Sequence, residues 1–431
     1  MGSPHASVDC VVVGAGVIGL STAWELHRHG LRVAVVDPDP GGGASRAAAG
    51  MIAPASEVVY QQHALYPLMT ASAAEYPAFV GDIEAAAEVD VAYRSTDTLV
   101  CAATPADRQA LADLRAYQRQ QRMDVEQLTT RAARALEPAL SPRLAAAFRA
   151  AGDHQVDPRR LVAGLLAALE SGERRNDSTV VRQRAVALLR GADGHVQGVR
   201  LADGSRIMAA ETVVANGLGG PEELLGSLRL PLRPVHGDIL RMRAPAGTPP
   251  LIERTIRGLV HGFAVYLVPR ADGEIVVGAT TREDGMAGVS AGGVFRLLRD
   301  AQALVPGSQD LVLEEVMARA RPATPDDLPF LGRGRSENGE EIPGLIVSTG
   351  YFRHGVLLAP LAARLTAELV IGSRTAGGPV EGALETGDRL AGTPVVEAPV
   401  TGGPAAGRPP DSDPDATALA AIDPHRFAAP R

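Results

Sequence analysis

The hydrophobic pattern changes character along the chain. Near the start, the apolar runs Val11-Val12-Val13 and Val33-Ala34-Val35-Val36 read as buried strands, and the stretch between them, through Trp24-Glu25-Leu26, reads as a helix. Residues 62–87 carry Leu65, Leu68, Met69 and Ala73 on one helical face, and 105–121 predict a charged, exposed helix. Asp157-Pro158 opens a further helix, with Asp157 as cap and Leu161, Leu165, Leu166 and Leu169 following. Strands are expected at 97–101, 179–189 and 195–201, with turns at Asp193-Gly194 and Asp203-Gly204, and again at Thr212-Val213-Val214-Ala215. From residue 230 to 278 the pattern turns to antiparallel strands at 238–243, 264–269 and 274–278, and a late strand at 345–349 leads toward an apolar helix over 356–371. Helices alternating with parallel strands, interrupted by an antiparallel sheet, predict an α/β chain with an α+β insertion. Residues 373–414, rich in Gly, Pro, Thr and Ala, predict a flexible insert, after which the segment around Ile422 and Phe427 regains apolar character and is expected to dock back.

The first strand, helix and strand enclose Gly14-Ala15-Gly16-Val17-Ile18-Gly19 and end on Asp37. Gly14 permits a tight turn, Gly16 lets a pyrophosphate approach the backbone, and Gly19 lets helix pack closely on strand. The helix start offers unpaired N–H groups and the positive end of its dipole to phosphates. Asp37 stands where a carboxylate accepts from an adenosine ribose, which favours FAD or NAD over NADP. Strand, turn, helix, strand and acid occur in order, which a glycine-rich structural loop would not require.

Composition narrows the reading. With 431 residues the chain can form two lobes, and its net charge of −8 speaks against nucleic-acid binding. No run of 18 or more uncharged apolar residues occurs, so no membrane span is expected, and the early first strand leaves little room for a secretory signal. Cys10 and Cys101 lack metal-ligand spacing and read as core residues, which fits a cytoplasmic protein without a metal site. The chain has no lysine, all 42 of its basic side chains being arginine, so lysine Schiff-base chemistry is excluded.

Three further stretches carry candidate chemistry. Ala44-Ser45-Arg46 and Ala47-Ala48-Ala49-Gly50-Met51 offer donors and small side chains, which fit either backbone close to a cofactor or a tight helix contact. Tyr351-Phe352-Arg353-His354-Gly355 joins the late strand to the apolar helix, so a helix N-terminus near Gly355 would face something anionic, as a reduced flavin is; structure alone would explain it equally well. Upstream, Arg321-Pro322 reads as an arginine leaving a strand into a loop. A guanidinium binds carboxylate bidentately and stays ionised, so Arg321 is the natural clamp for a substrate carboxylate beside a flavin. Tyr266 would add a hydroxyl, or serve only as a strand tyrosine at the core edge.

Together, the glycine motif, 47–51, Tyr266-Leu267-Val268-Pro269-Arg270, Val277-Gly278-Ala279-Thr280, Arg321-Pro322 and the stretch from Gly350 through His354 to Pro360 resemble the glycine oxidases, FAD-dependent enzymes of bacterial thiamine biosynthesis in the D-amino-acid oxidase superfamily. The resemblance implies a Rossmann-like FAD-binding domain assembled from 8–90, 150–225 and 320–372. It implies an antiparallel-sheet substrate domain from 91–149 and 226–319, with 373–414 inserted and 415–431 as a C-terminal segment. It implies FAD held at Gly14, Gly16, Val17, Ile18, Gly19, Asp37, Ala44, Ser45, Ala49, Gly50, Met51, Val186 and from Tyr351 through Phe352, Arg353, His354, Gly355 and Val356 to Leu357, and because no cysteine follows Cys101 the FAD is expected to be non-covalent. Arg321 would bind the substrate carboxylate, with Arg353 and Tyr266 in the same pocket.

The implied reaction converts glycine or another small amino acid to an imine with molecular oxygen as acceptor, supplying thiazole assembly; a homo-oligomer and thiazole-biosynthesis partners are left open. Some flavin oxidases of this wider group use a lysine to help oxygen accept electrons. Here Arg353, a protonated His354 and the helix start would supply that charge, the histidine in a pH-dependent way. The rival expectations are a D-amino-acid dehydrogenase passing electrons to a carrier, and the oxidative module of a tRNA-modifying protein.

Overall fold

Cys10, Val11, Val12 and Val13 are buried on both faces of the strand Ala6–Val13 because it runs parallel between two others, Val33–Val36 and Arg206–Val214. The computed structural model describes residues 6–60, 62–171, 178–219, 224, 230–336, 338–376 and 420–427. Its first sheet continues outward with Ser178–Val181 parallel to Val33–Val36, with Glu341–Thr349 parallel to Arg206–Val214, and with Phe330–Arg335 antiparallel at the edge. The helices Val17–Arg28, Leu65–Ala87, Pro158–Glu170 and Ala359–Ala376 pack together over this sheet, where Leu20, Trp24, Met69, Leu161, Leu165 and Leu365 share one apolar core. Asp157 caps Pro158–Glu170 as expected, accepting from the N–H groups of Arg159 (2.8 Å) and Arg160 (3.3 Å).

The second sheet orders Val312–Ala323, Arg233–Arg243, Glu274–Gly278, Phe263–Pro269, Thr255–Val260, Thr98–Ala102, Ala146–Ala150 and Val125–Leu128. All neighbours are antiparallel except Thr255–Val260 with Thr98–Ala102, a parallel pair that joins segments more than a hundred residues apart. Alternation sorts its faces. Leu240, Leu267 and Val277 pack with Leu297 and Leu304 of the helix Ala291–Leu304, while Ile239, Val268 and Val276 face Ala49, Met51 and Ala53 of the first lobe.

Four expectations are corrected. The single strand at 179–189 is two, Ser178–Val181 in the parallel sheet and Ala185–Arg190 in a hairpin with Val196–Leu201, because Arg182–Arg184 turn the chain from one partner to the other. Arg321 does not leave a strand; it lies inside Val312–Ala323. The late helix begins at Ala359 rather than near Gly355, preceded by a turn in which Leu358 donates to the His354 carbonyl (2.8 Å). It also continues to Ala376, and the rest of the expected insert lies outside the described residues.

Near the C-terminus, Ile422 is buried and its carbonyl accepts from Leu331 (2.8 Å), and Arg426 reaches Asp326 (2.7 Å) and lies over the Phe330 ring (4.4 Å). Among the described residues no helix is long and apolar enough to cross a membrane.

Candidate active site

A cavity of about 590 Å³ runs from the glycine turn after the first strand to the inner face of the second sheet. At its near end Gly14 has φ +106°, and a Cβ there would sit 2.6 Å from the Ala215 carbonyl oxygen. A Cβ at Gly19 would overlap the Gly14 carbonyl, so Gly19 serves close packing of helix on turn and does not itself line the cavity. The Ser45 hydroxyl accepts from the Val17 N–H (3.0 Å), which leaves the Ile18 and Gly19 N–H groups as first-turn donors without helical acceptors. Asp37 accepts from the N–H groups of Ala15 (2.7 Å) and Asp39 (2.8 Å), and its remaining lone pairs suit ribose hydroxyls.

The small-residue stretch does both jobs that its sequence allowed. Ala49, Gly50 and Met51 line the cavity, and a Cβ on Gly50 (φ +75°) would overlap the Val156 carbonyl. Arg270, from the end of the second-sheet strand Phe263–Pro269, pins this backbone by donating to the carbonyls of Ala49 (2.6 Å) and Val156 (2.9 Å) and to Gln155 (3.1 Å). Burial lowers its pKa to about 10, partly opposed by Asp157.

At the far end the second sheet presents its side chains in rows. Tyr266 stands opposite Arg257 on one neighbouring strand and Gly278 on the other. A Cβ on Gly278 would overlap the Tyr266 hydroxyl, and one on Gly237 would overlap the Arg321 guanidinium, so both glycines make room for polar side chains. Arg321 donates to the Thr280 carbonyl (3.3 Å), and Thr280 is fixed by the fully buried Asp238 through its hydroxyl (2.7 Å). Arg321 forms no ion pair and the Tyr266 hydroxyl no hydrogen bond among the described residues. Burial pushes the Tyr266 phenol up to about 12 against the pull of Arg321, so it stays protonated and can donate.

A cluster that the sequence did not flag completes this end. Arg257 bridges to Glu57, the Glu57 carbonyl accepts from Arg353 (3.2 Å), and Glu57 lies 3.7 Å from the His354 ring. Burial alone would raise the Glu57 carboxyl, but Arg257, His354 and Arg353 together hold it below the ordinary range. Arg353 is itself lowered by burial, with Glu57 opposing. His354 is buried, and burial and Arg353 push it down to about 3. It is therefore neutral near pH 7 and cannot supply the pH-dependent positive charge expected of it. Asp153 holds the backbone just before Glu57, accepting from Ala55 and Ser56 (both 3.1 Å).

The cavity thus gathers Gly14, Gly16, Val17, Ile18, Asp37, Ala44, Ser45, Ala49, Gly50, Met51, Tyr266, Arg321, Tyr351, Phe352, Arg353, Gly355 and Val356 on one wall system. Gly19, Val186, His354 and Leu357 are not on it; Val186 lies in the hairpin strand Ala185–Arg190. Glu57, Arg257 and Arg319 are on it without having been singled out from sequence. The helix-start N–H groups, the Asp37 carboxylate and the cationic far end of the cavity fit an FAD.

This fold and site define an FAD-dependent oxidoreductase. The chain belongs to the DAO family of FAD dependent oxidoreductases, whose description matches residues 9–369. It is 32% identical over 369 residues to the "Bifunctional protein ThiO/ThiG" of Trichormus variabilis, covering 85% of this chain and 53% of that one, so it spans about half the length of such relatives. It is also 32% identical to the "Glycine oxidase" of Geobacillus kaustophilus, covering 85% of this chain and 94% of that one. The crystal structure of glycine oxidase from Geobacillus kaustophilus superposes with a TM-score of 0.75 at 30% identity, over 85% of this chain and 95% of that one.

Proposed function

We propose that the chain oxidatively deaminates glycine or another small amino acid, using oxygen and forming the 2-oxo acid, ammonia and hydrogen peroxide. The observation that carries this reading is the Arg321 guanidinium, free of any carboxylate among the described residues and set on the cavity wall with the Tyr266 hydroxyl. FAD, when bound, supplies the two-electron acceptor. Arg321 receives the substrate carboxylate through paired N–H donors, and the Tyr266 hydroxyl donates a hydrogen bond to a carboxylate oxygen. Holding the carboxylate this way fixes the Cα–H bond, and since the amine reacts in its neutral form, positioning supplies most of the rate. Arg257 is committed to Glu57 and Arg353 to the Glu57 carbonyl, which leaves Arg321 as the clamp and Arg353 as the permanent positive charge favouring electron transfer to oxygen.

The balance is glycine, oxygen and water going to glyoxylate, ammonia and hydrogen peroxide, and the imine that precedes glyoxylate would serve thiazole assembly. Two buried free thiols suit action in the cytoplasm. Oxygen uptake with glycine, matched by equal peroxide and ammonia, is the expected result. Product formation only with an added quinone would make the protein a dehydrogenase, and no turnover with any small amino acid would reject the reading.

A further inference from the structure

The cofactor end of the cavity presents a charge problem. FAD carries a doubly charged diphosphate, and the acids Asp37 and Asp39 line this same end. The helix start contributes only a partial positive charge, and one of its first N–H groups is already taken by Ser45. The cations Arg257, Arg321 and Arg353 belong to the opposite, ring-side end. Arg319 is different. It lies on Val312–Ala323 two residues before Arg321, so alternation puts both on the cavity face, and its strand partner there is Gly237. Its Nε donates to the carbonyl of Gly42 (3.2 Å), in the loop between Asp37 and Ser45, and Nη1 donates to the Ala318 carbonyl (2.9 Å). These two bonds hold the guanidinium across the gap between the lobes, and it has no ion pair among the described residues.

We propose that Arg319 is a diphosphate ligand of the cofactor, a cation that the second sheet lends to the dinucleotide end of the site. It works with the Ile18 N–H group and offsets Asp37 and Asp39. Its remaining Nη2 donors point the interaction toward phosphate oxygens, for which a planar guanidinium is well suited. The bond to Gly42 also ties the second sheet to the Gly41–Gly43 loop, so cofactor binding and this contact draw on one side chain.

The test uses flavin-stripped full-length protein titrated with FAD, reading the quenching of flavin fluorescence, for wild type, Arg319→Gln and Arg319→Lys at low and high salt. Glutamine keeps a donor for Gly42 but removes the charge. Arg319→Gln should raise the FAD Kd about tenfold at low salt, and the gap should narrow as salt rises. Arg319→Lys should fall between the two. An Arg319→Gln Kd equal to wild type would overturn the proposal, as would a loss that salt leaves unchanged, since that would mark a purely structural contact. If Arg319→Gln does not fold, Arg319→Met, which also removes the charge, decides alone. A weakened FAD Kd whose deficit shrinks with salt supports the ligand, and a Kd equal to wild type, or a deficit that salt leaves unchanged, removes it.

Discussion

Replacing Arg321 by alanine tests the substrate clamp where it is most exposed to failure. In the fold this guanidinium has one backbone acceptor, Thr280 at 3.3 Å, and no carboxylate partner among the described residues. Its removal therefore strands no buried charge, and the variant should fold and retain FAD. The loss appears when substrate arrives. Truncating one partner of a hydrogen-bonded charge pair costs about 2–5 kcal/mol, and because Arg321 is only half-buried the lower part of that range, about 2–4 kcal/mol, applies. At about 1.4 kcal/mol per tenfold, kcat/KM for glycine should drop by roughly 30-fold to 700-fold. Arg321→Lys should recover part of this, because an ammonium keeps the charge but cannot make the paired contact. The assay is initial-rate kinetics on FAD-saturated enzyme, with flavin content checked by absorbance. A kcat/KM in Arg321→Ala within about twofold of wild type, with flavin bound, would refute the clamp.

Three other outcomes follow from the same geometry. FAD should be released entirely by acid precipitation, since Cys10 and Cys101 are buried in strands away from the cavity and burial pushes both thiols up; colour left in the pellet would contradict this. His354 has a folded pKa of about 3 against an ordinary 6.5, so below pH 6.5 the unfolded chain binds a proton that the fold refuses, and stability is lost as pH falls through that window. His354→Gln should flatten the fall of Tm between about pH 4 and 6.5, while Asp153, raised to about 6, acts in the opposite sense in both proteins; an unchanged slope would show that His354 titrates normally. Arg426→Ala should lower stability by about 1–3 kcal/mol in denaturant, because it removes the Asp326 pair and the contact over Phe330; an unchanged midpoint would mean that the C-terminal segment adds nothing.

The parts of this fold legible in the sequence are those set by neighbours in the chain. Val11 to Asp37 announces strand, turn, helix and strand because each signal is local, from the buried apolar run to Gly14 and Gly19, whose missing side chains the turn requires. Arg321 and Tyr266 could be picked out because guanidinium and phenol have a stated use beside a flavin. Glu57 and Arg257 could not, since the pair is 200 residues apart in sequence and forms only when Thr255–Val260 takes its place between Thr98–Ala102 and Phe263–Pro269. The end of Val312–Ala323 is misread from sequence because a proline usually marks a loop, whereas this edge strand carries Pro322 within it and so runs on past Arg321. His354 sits in a legible motif, but whether a histidine is charged depends on burial, which its neighbours in sequence do not reveal.

The most direct test of the account mixes the FAD-loaded protein with glycine in the absence of air, follows the flavin absorbance, and then admits air. Glycine should bleach the flavin, sarcosine or small D-amino acids should do so at rates set by how they fit beside Arg321, and air should restore the colour faster than it reoxidises free reduced flavin, with peroxide formed. A flavin that stays yellow with every amino acid, or one that bleaches but recovers only with a quinone, would contradict it.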